Sequence, residues 1–228
     1  MLWDWDYALE IVPILGKAAI ITVEATFLGF LIAASLGLVF AILRMLGPTI
    51  AAPVTILVEL VRSTPLLIQI FFLYFVLPKF GVTLDAFTAG VLALGLHYAT
   101  YCSEVYRAGL ENIPRGQWEA SYLLGMNPLL AFRRIILPQA FRIALPAMTN
   151  DFVSLFKDTS VAYAISVWEL ATAYRELANA SGQFLLLGTA VSIFYLAMSL
   201  PMAHLARRLE RRLQRRQAVD ENEPELSP

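Results

Sequence analysis

Residues 18–43 read AAIITVEATFLGFLIAASLGLVFAIL, and this stretch decides the fold class. It contains one charged residue, Glu24, whereas about a quarter of the positions in a soluble domain are charged. A helix of about 20 apolar residues is long enough to cross the hydrocarbon core of a bilayer. The stretch is therefore predicted to be a membrane-spanning helix.

Further apolar stretches predict an all-α, polytopic membrane protein. Of its 228 residues, 58% are hydrophobic and 15% are charged, and the mean hydropathy is +0.65. We predict five spans, near residues 18–43, 54–77, 86–105, 143–165 and 184–205. Residues 1–206 would then form one transmembrane domain, followed by a tail at 207–228 that turns from basic to acidic.

The positions of the basic residues predict the orientation, because cytoplasmic loops carry an excess of lysine and arginine. With the N-terminus outside, thirteen of the seventeen basic residues lie on the cytoplasmic side. Lys17, Lys79 and Arg175 remain outside, and Lys157 falls within a span. We therefore expect the N-terminus on the outer side of the membrane and a cytoplasmic C-terminus.

The long loop at residues 113–138, between the third and fourth predicted spans, is expected to contain a short helix. Trp118, Tyr122 and Met126 recur every four residues and form a bulky stripe. Gly125 stands where such a helix would end. A short helix is marginal alone, and composition leaves open whether it packs on its own protein or on another one.

The same loop contains EAS at 119–121, then three residues, Gly125, nine residues and IILP at 135–138. This spacing resembles the EAA loop of permease subunits of ABC importers, with the pattern E-A-A, three residues, glycine, nine residues and I-x-L-P. Ser121 replaces the second alanine. The resemblance implies the fold of a type I ABC importer transmembrane domain, with this helix coupling it to a separate ATPase. The residues expected at that contact are Trp118, Glu119, Ala120, Ser121, Tyr122, Gly125 and Met126. The resemblance also implies a bacterial inner membrane, with the N-terminus in the periplasm.

Three other stretches are similar to the polar amino acid uptake subfamily, which includes histidine, glutamine and arginine permeases. They are ELVRSTPLLIQ from residue 59, YCSEVYRAG from residue 101 and NDFVSLFKDTS from residue 150. The overall run is most similar to permeases for ectoine or hydroxyectoine. The resemblance implies uptake of polar amino acids or related zwitterionic solutes. It also implies an ATPase dimer, a second permease chain (identical or paralogous) and an extracytoplasmic substrate-binding protein as partners.

Lys157 and Asp158 fall within the fourth predicted span, followed by Thr159 and Ser160. Ionisable groups inside a membrane are costly and usually face a bundle interior or a water-filled path. The four residues are therefore candidates for the lining of a translocation pathway. An internal ion pair that fixes helix packing is the alternative.

Two pairs with i,i+3 spacing are expected to form structural ion pairs at helix ends. They are Glu59 with Arg62 and Glu104 with Arg107.

Several function classes have no support in the sequence. A phosphate-binding G-x-x-x-x-G-K-[ST] loop is absent, and Cys102 is the one cysteine. We therefore expect no ATPase or other enzymatic activity in this chain, no cofactor, no metal site and no nucleic-acid partner. The alternative function is an ion-gradient-driven secondary transporter with Lys157, Asp158 and His97 as a relay, although it leaves the cytoplasmic helix unexplained.

Overall fold

The computed structural model describes residues 5–222, with backbone alone for residue 209 and residues 212–222, and the regular elements in this part are all helices. The predicted all-α class is confirmed. The α-helices are α1 Trp5–Leu43, α2 Pro48–Arg62, α3 Leu66–Phe71, α4 Ala86–Glu111, α5 Arg115–Leu123, α6 Pro128–Ala131, α7 Leu137–Asp158, α8 Leu170–Ser181 and α9 Phe184–Asn222. Turns of π or 3-10 helix follow three of them, at Phe72–Val76, Leu77–Phe80, Phe132–Ile136 and Thr159–Ile165.

Two described helices are long and apolar enough to cross a bilayer, namely α1 and the part of α9 up to Arg208. The segment from α2 to Phe80 is a third if its two bent halves count as one span. The 26 residues of α4 and the 22 of α7 would reach about 39 and 33 Å at 1.5 Å per residue. Both are less apolar than α1, and the five-span count stays a prediction.

The second predicted span, residues 54–77, is wrong as a continuous helix. The two halves on either side of Ser63–Pro65 differ in direction by 101°, because a proline disfavours helical backbone at the residue before it. Gln69 satisfies the carbonyl groups freed by this break: its Nε2 donates to the oxygens of Val61 and Thr64 at 2.8 and 3.0 Å. Backbone carbonyl groups surrounded by lipid need hydrogen-bond donors from within the protein.

Other predicted limits also differ from the observed helices. The first helix begins at Trp5, well before residue 18, and the last continues to Asn222 instead of ending near 205. The fourth predicted span is α-helical only as far as Asp158, and 3-10 helix replaces it up to Ile165. Residues 223–228 of the predicted tail lie outside the described part of the chain.

A π-helical turn precedes each of two prolines that continue a helix. Pro78 follows Phe72–Val76, and Pro138 follows Phe132–Ile136. A proline ring clashes with the carbonyl group four residues earlier in a regular α-helix. In both cases that carbonyl lies in the wider π turn. The predicted cytoplasmic loop therefore passes into α7 without a break.

Helices α1 and α4 approach each other closely through glycines. A Cβ atom added at Gly37 would lie 2.7 Å from Cβ of Cys102, and one at Gly95 would lie 2.7 Å from Cβ of Ile32. Small residues at such positions let membrane helices pack backbone against backbone. Ala33 and Cys102, beside these glycines, belong to the larger buried core.

Helix α8 is tied to α9 by a buried carboxylate. Glu169, which is 1% exposed, accepts hydrogen bonds from the backbone N–H groups of Ala171 and Thr172 at 2.9 and 2.8 Å. The hydroxyl of Tyr195 on α9 donates to the same carboxylate at 3.1 Å. Glu169 thus caps α8 and links it to the last helix.

Candidate functional site

Helix α5 ends in a hydrogen-bonded glycine cap. The N–H of Gly125 donates to the carbonyl of Tyr122 at 2.9 Å, and that of Met126 donates to Ser121 at 3.1 Å. This is the Schellman arrangement, which needs a left-handed residue after the helix. Gly125 supplies it with φ of 74°. Asn127 then caps α6 by accepting from the N–H of Leu130 at 2.9 Å.

One face of α5 packs on its own protein. Trp118 is half-buried against a cluster that includes Leu110 of α4 and Ile136 and Ala140 near the start of α7. Ser121 is 3% exposed, and its hydroxyl donates to the carbonyl of Gln117 at 2.7 Å. Of the predicted contact residues, Trp118 and Ser121 therefore lie on the inner side of the helix.

The rest of α5, together with the start of α6, is exposed. Leu123 and Leu124 are 89% and 81% exposed, and Leu129 of α6 is 67% exposed. We call this the α5–α6 surface. It comprises Glu119, Ala120, Tyr122, Leu123, Leu124, Gly125 and Leu129, all of them exposed.

The predicted bulky stripe did not identify these leucines. Tyr122 is exposed, but Trp118 and Met126 are half-buried. The signal was the pair of leucines at 123–124, which lies off the stripe and directly before the terminating glycine. Once Trp118 faces inward, a leucine five residues later faces outward, because successive helical residues are about 100° apart.

The four pathway candidates at the end of α7 point in different directions. Lys157 is exposed and lines an open groove of about 520 Å³ between α7 and α9, together with Ser160. Asp158 faces α4 and accepts a 2.7 Å hydrogen bond from the hydroxyl of Tyr98. Thr159 is 1% exposed, and its hydroxyl donates to the carbonyl of Phe156 at 2.7 Å. Lys157 and Ser160 are therefore open to a solute, whereas Thr159 is enclosed.

A second acidic residue lies on the Asp158 side of α7. Asp151 precedes Asp158 by seven residues, or two helical turns, and so shares its face. Within the described part of the chain, its Oδ2 atom is buried without a hydrogen-bond partner. Local sequence did not single out Asp151, because the burial of this oxygen depends on how the helices pack.

The predicted ion pairs lie in one network around Glu104. Its carboxylate is 2.8 Å from Arg107 and 2.7 Å from Arg44 at the end of α1. Arg62 of α2 lies 3.6 Å from both Glu59 and Glu104. The carboxylate of Glu104 therefore joins three helices, and its contact with Arg44 was not predicted.

Among the side chains that the structure describes, no group of three or more from histidine, cysteine, aspartate or glutamate is placed to hold a metal ion. His97 is buried, and its Nδ1 atom lies 3.1 Å from Nε2 of Gln69. It thus belongs to the polar contact beside the α2–α3 break.

These features can be compared with known proteins. The family described as binding-protein-dependent transport system inner membrane component matches residues 19–216. The chain belongs to this family. The predicted ABC importer permease is therefore confirmed over the ion-driven alternative.

Curated relatives cover nearly the whole chain. A probable amino-acid ABC transporter permease protein of Sinorhizobium fredii is 39% identical over 94% of this chain and 96% of its own length. The L-cystine transport system permease protein TcyB of Bacillus subtilis is 37% identical over 92% of both chains. The glutamine transport system permease protein GlnP of Escherichia coli is 33% identical over 93% of this chain and 99% of its own length.

Solved structures share the fold. The crystal structure of an amino acid ABC transporter with histidines superimposes with a TM-score of 0.84 at 31% identity, covering 93% of this chain and 100% of the other. An inward-facing MetNI methionine ABC transporter gives a TM-score of 0.77 at 19% identity, covering 90% of this chain and 98% of the other. The predicted fold, a type I ABC importer transmembrane domain, is confirmed.

Membership of the family defines the chain's general role. It is an inner-membrane permease component of a binding-protein-dependent transport system. Other subunits therefore belong to the working transporter.

Proposed function

We propose that this permease forms half of the translocation pathway of an ATP-driven importer and receives its energy from a separate ATPase at the α5–α6 surface. The observation that carries the proposal is the exposure of Leu123 and Leu124, at 89% and 81%, beside a glycine-capped helix end. Leucines this exposed on a loop outside the lipid mark a surface for a protein partner.

The packing of α5 on α4 and α7 supports a route by which a movement of α5 reaches the membrane-spanning helices. Trp118 contacts the cluster that joins Leu110 of α4 to Ala140 of α7. A partner that shifts α5 therefore moves the inner ends of α4 and α7 together. Helix α7 carries Lys157 at its outer end, beside the groove shared with α9. ATPase closure at α5 would thus favour a different arrangement of the groove.

The solute is proposed to be a polar amino acid or a related zwitterion. Lys157 places a positive charge in the groove beside α9, and Ser160 adds a hydroxyl there. A solute with a carboxylate can pair with this lysine. The names of the relatives reported above, which include cystine and glutamine permeases, support this class. Uptake of ectoine stays a prediction, since those names do not include it.

The assembly is proposed to contain two permease chains, an ATPase dimer and an extracytoplasmic binding protein. In this arrangement the permease itself is not catalytic, and ATP is hydrolysed by the partner subunits. The exposed arginines Arg133 and Arg134, next to the α5–α6 surface, support a cytoplasmic position for this loop. The N-terminus is then outside and the C-terminus inside.

A leucine-to-aspartate substitution tests the ATPase contact. Leu123→Asp should weaken ATPase binding by about 2 kcal/mol, or roughly 30-fold, because central apolar contacts carry most interface energy. Leu123→Met keeps an apolar side chain and is the matched control. The amount of ATPase that co-purifies with each permease measures the effect. Equal retention by both variants would refute the proposed contact.

A second pair of variants tests the helix end itself. Gly125→Ala should cost about 1–2 kcal/mol in the left-handed conformation, although a Cβ atom there meets nothing within 4 Å. Gly125→Asn is the control, because asparagine tolerates this conformation better. Solute-stimulated ATP hydrolysis in proteoliposomes should fall for alanine and be largely retained for asparagine. Full activity of both variants would contradict a role for the cap.

The solute class is tested with binding proteins. Each candidate binding protein is loaded with a polar amino acid or with ectoine and added to the reconstituted complex. Stimulation of ATP hydrolysis by an amino-acid-loaded protein supports the proposed class. Stimulation by ectoine alone would replace it with compatible solutes, and stimulation only by apolar amino acids would overturn it.

A further inference from the structure

Tyr195 of α9 connects two separate parts of the molecule. Its side chain is half-buried and lines the groove of about 520 Å³ that contains Lys157. Its hydroxyl donates a hydrogen bond to Oε2 of Glu169 at 3.1 Å. The tyrosine therefore forms part of the groove wall and also holds a buried carboxylate at the start of α8.

This carboxylate closes the first turn of α8. The oxygen that accepts from Tyr195 also accepts from the N–H of Ala171 at 2.9 Å, and the other oxygen accepts from the N–H of Thr172 at 2.8 Å. The first N–H groups of a helix have no partner within the helix. Glu169 is 1% exposed, so water does not readily take its place. The hydrogen bond from Tyr195 thus fixes the group on which the start of α8 depends.

The ring of Tyr195 is packed on one side and borders open space on another. Phe156 of α7 contacts it edge to face, with the ring centroids 5.7 Å apart. The groove leaves the side towards Lys157 open. A side chain loses rotational freedom when a bound molecule packs against it. A solute beside Lys157 would therefore hold the ring as it stands here, because this is the orientation in which the groove is open.

We propose that Tyr195 is a positioning residue that links a solute in this groove to the placement of α8. The proposal rests on the proposed function, which assigns the groove to the solute and places the N-terminus outside, so that α8 is extracytoplasmic. Such a link acts in both directions. A solute in the groove stabilises the cap of α8, and a binding protein that holds α8 prepares the groove for the solute.

Removal of the hydroxyl tests the link in the working transporter. Tyr195→Phe keeps the ring that lines the groove and loses the bond to Glu169. The concentration of loaded binding protein that gives half-maximal ATP hydrolysis should rise about tenfold, which one hydrogen bond to a charged group can supply. The maximal rate should change less than about twofold. A fall in maximal rate alone would indicate a merely structural role and overturn the proposal.

Thr22→Val is the matched control. The N–H of Leu170, also at the start of α8, donates to Oγ1 of Thr22 at 3.3 Å. Thr22 belongs to α1, so this variant loosens α8 without altering the groove between α7 and α9. Its Tm should fall, but its half-maximal concentration should stay that of the wild type. An equal shift in both variants would show that any loosening of α8 is sufficient, and would overturn the role of Tyr195.

Filling the groove tests the link without the natural solute. Ser199 lines the groove one helical turn after Tyr195, so alkylation of Ser199→Cys with N-ethylmaleimide places a bulky group beside the ring. The native Cys102 is 0% exposed and should not react. In the complex in lipid nanodiscs, amide hydrogen exchange at Ala171 and Thr172 should slow roughly threefold after alkylation. Adding Tyr195→Phe should abolish this change.

The link and the importer function fail in distinguishable ways. Unchanged exchange after complete alkylation overturns the link and leaves the importer function in place. Slowing that persists in Tyr195→Phe assigns the link to another side chain. A cysteine at 199 that does not react shows a groove closed to water, and overturns the assignment of the groove on which the link depends. Slowed exchange in a permease that no loaded binding protein stimulates supports the link and overturns the importer function.

Discussion

Replacing Gly37 with alanine should force α1 away from α4. The added Cβ atom would lie 2.7 Å from Cβ of Cys102, 2.8 Å from the carbonyl oxygen of Ala99 and 3.0 Å from the backbone nitrogen of Ser103. Two of these three atoms belong to the backbone, so no side-chain rotation relieves the overlap. Carbon atoms pack best at about 3.5–4.0 Å. The helices must therefore separate locally by about 1 Å.

This separation sets the expected magnitude. Overpacking of a well-packed interior costs about 1–3 kcal/mol, and a gap of 0.5–1 Å loses roughly a quarter to a half of each affected dispersion contact. We expect about 2–3 kcal/mol, because α1 packs on α4 along much of its length. For a chain of this size, 1 kcal/mol changes the Tm by roughly 2–4 °C. The Tm of Gly37→Ala should therefore fall by about 4–12 °C.

The one cysteine provides the assay. Cys102 is 0% exposed and lies at the contact itself, so a thiol-reactive fluorophore reports its opening during heating in detergent. Gly16→Ala makes the same change in the same helix, where a Cβ atom meets nothing within 4 Å. Its labelling curve should match that of the wild type. If Gly37→Ala matched it too, the close α1–α4 packing would be refuted.

Two further predictions concern buried charge. Glu104→Gln should destabilise the permease by about 1–3 kcal/mol, because Arg44, with a side chain 12% exposed, loses a carboxylate at 2.7 Å. The more exposed Glu59→Gln should cost less than about 1 kcal/mol, so equal losses in thermal unfolding would contradict this reasoning. Burial raises the pKa of Glu169, so the folded protein holds that proton more tightly than the unfolded one. Its stabilising effect is complete at pH values below the unfolded pKa and is lost as the pH rises through the folded pKa. In Glu169→Gln, Tm should fall less steeply with rising pH over that interval. A slope equal to that of the wild type would contradict the raised pKa of Glu169.

Helix α5 shows how far local sequence reaches. Its position and its end at Gly125 were predictable, because a glycine after a short helix supplies the left-handed backbone that closes it. Which face stays exposed was not predictable, because large apolar side chains lie on both faces. Trp118 turns inward and Leu123 outward only because Leu110 and Ala140 form a cluster beneath the helix.

The span limits show the same division. Hydropathy located the apolar segments. It did not predict the break at Pro65, because a straight apolar segment and a bent one have the same mean hydropathy. In the structure Gln69 makes the bend tolerable by satisfying carbonyl groups of Val61 and Thr64. The π turn before Pro138 likewise keeps a helix continuous through a proline.

The sequence by itself determined the all-α membrane class, the family and the short helix that ends at Gly125, because each depends on composition or on spacing along a short segment. Only the tertiary structure decided which charges meet. Arg44 with Glu104 and Tyr98 with Asp158 are each sixty residues apart, and local spacing predicted neither contact. Helix packing selects such partners, because the same side chain on a helix surface is paired, enclosed or exposed according to the helix placed against it.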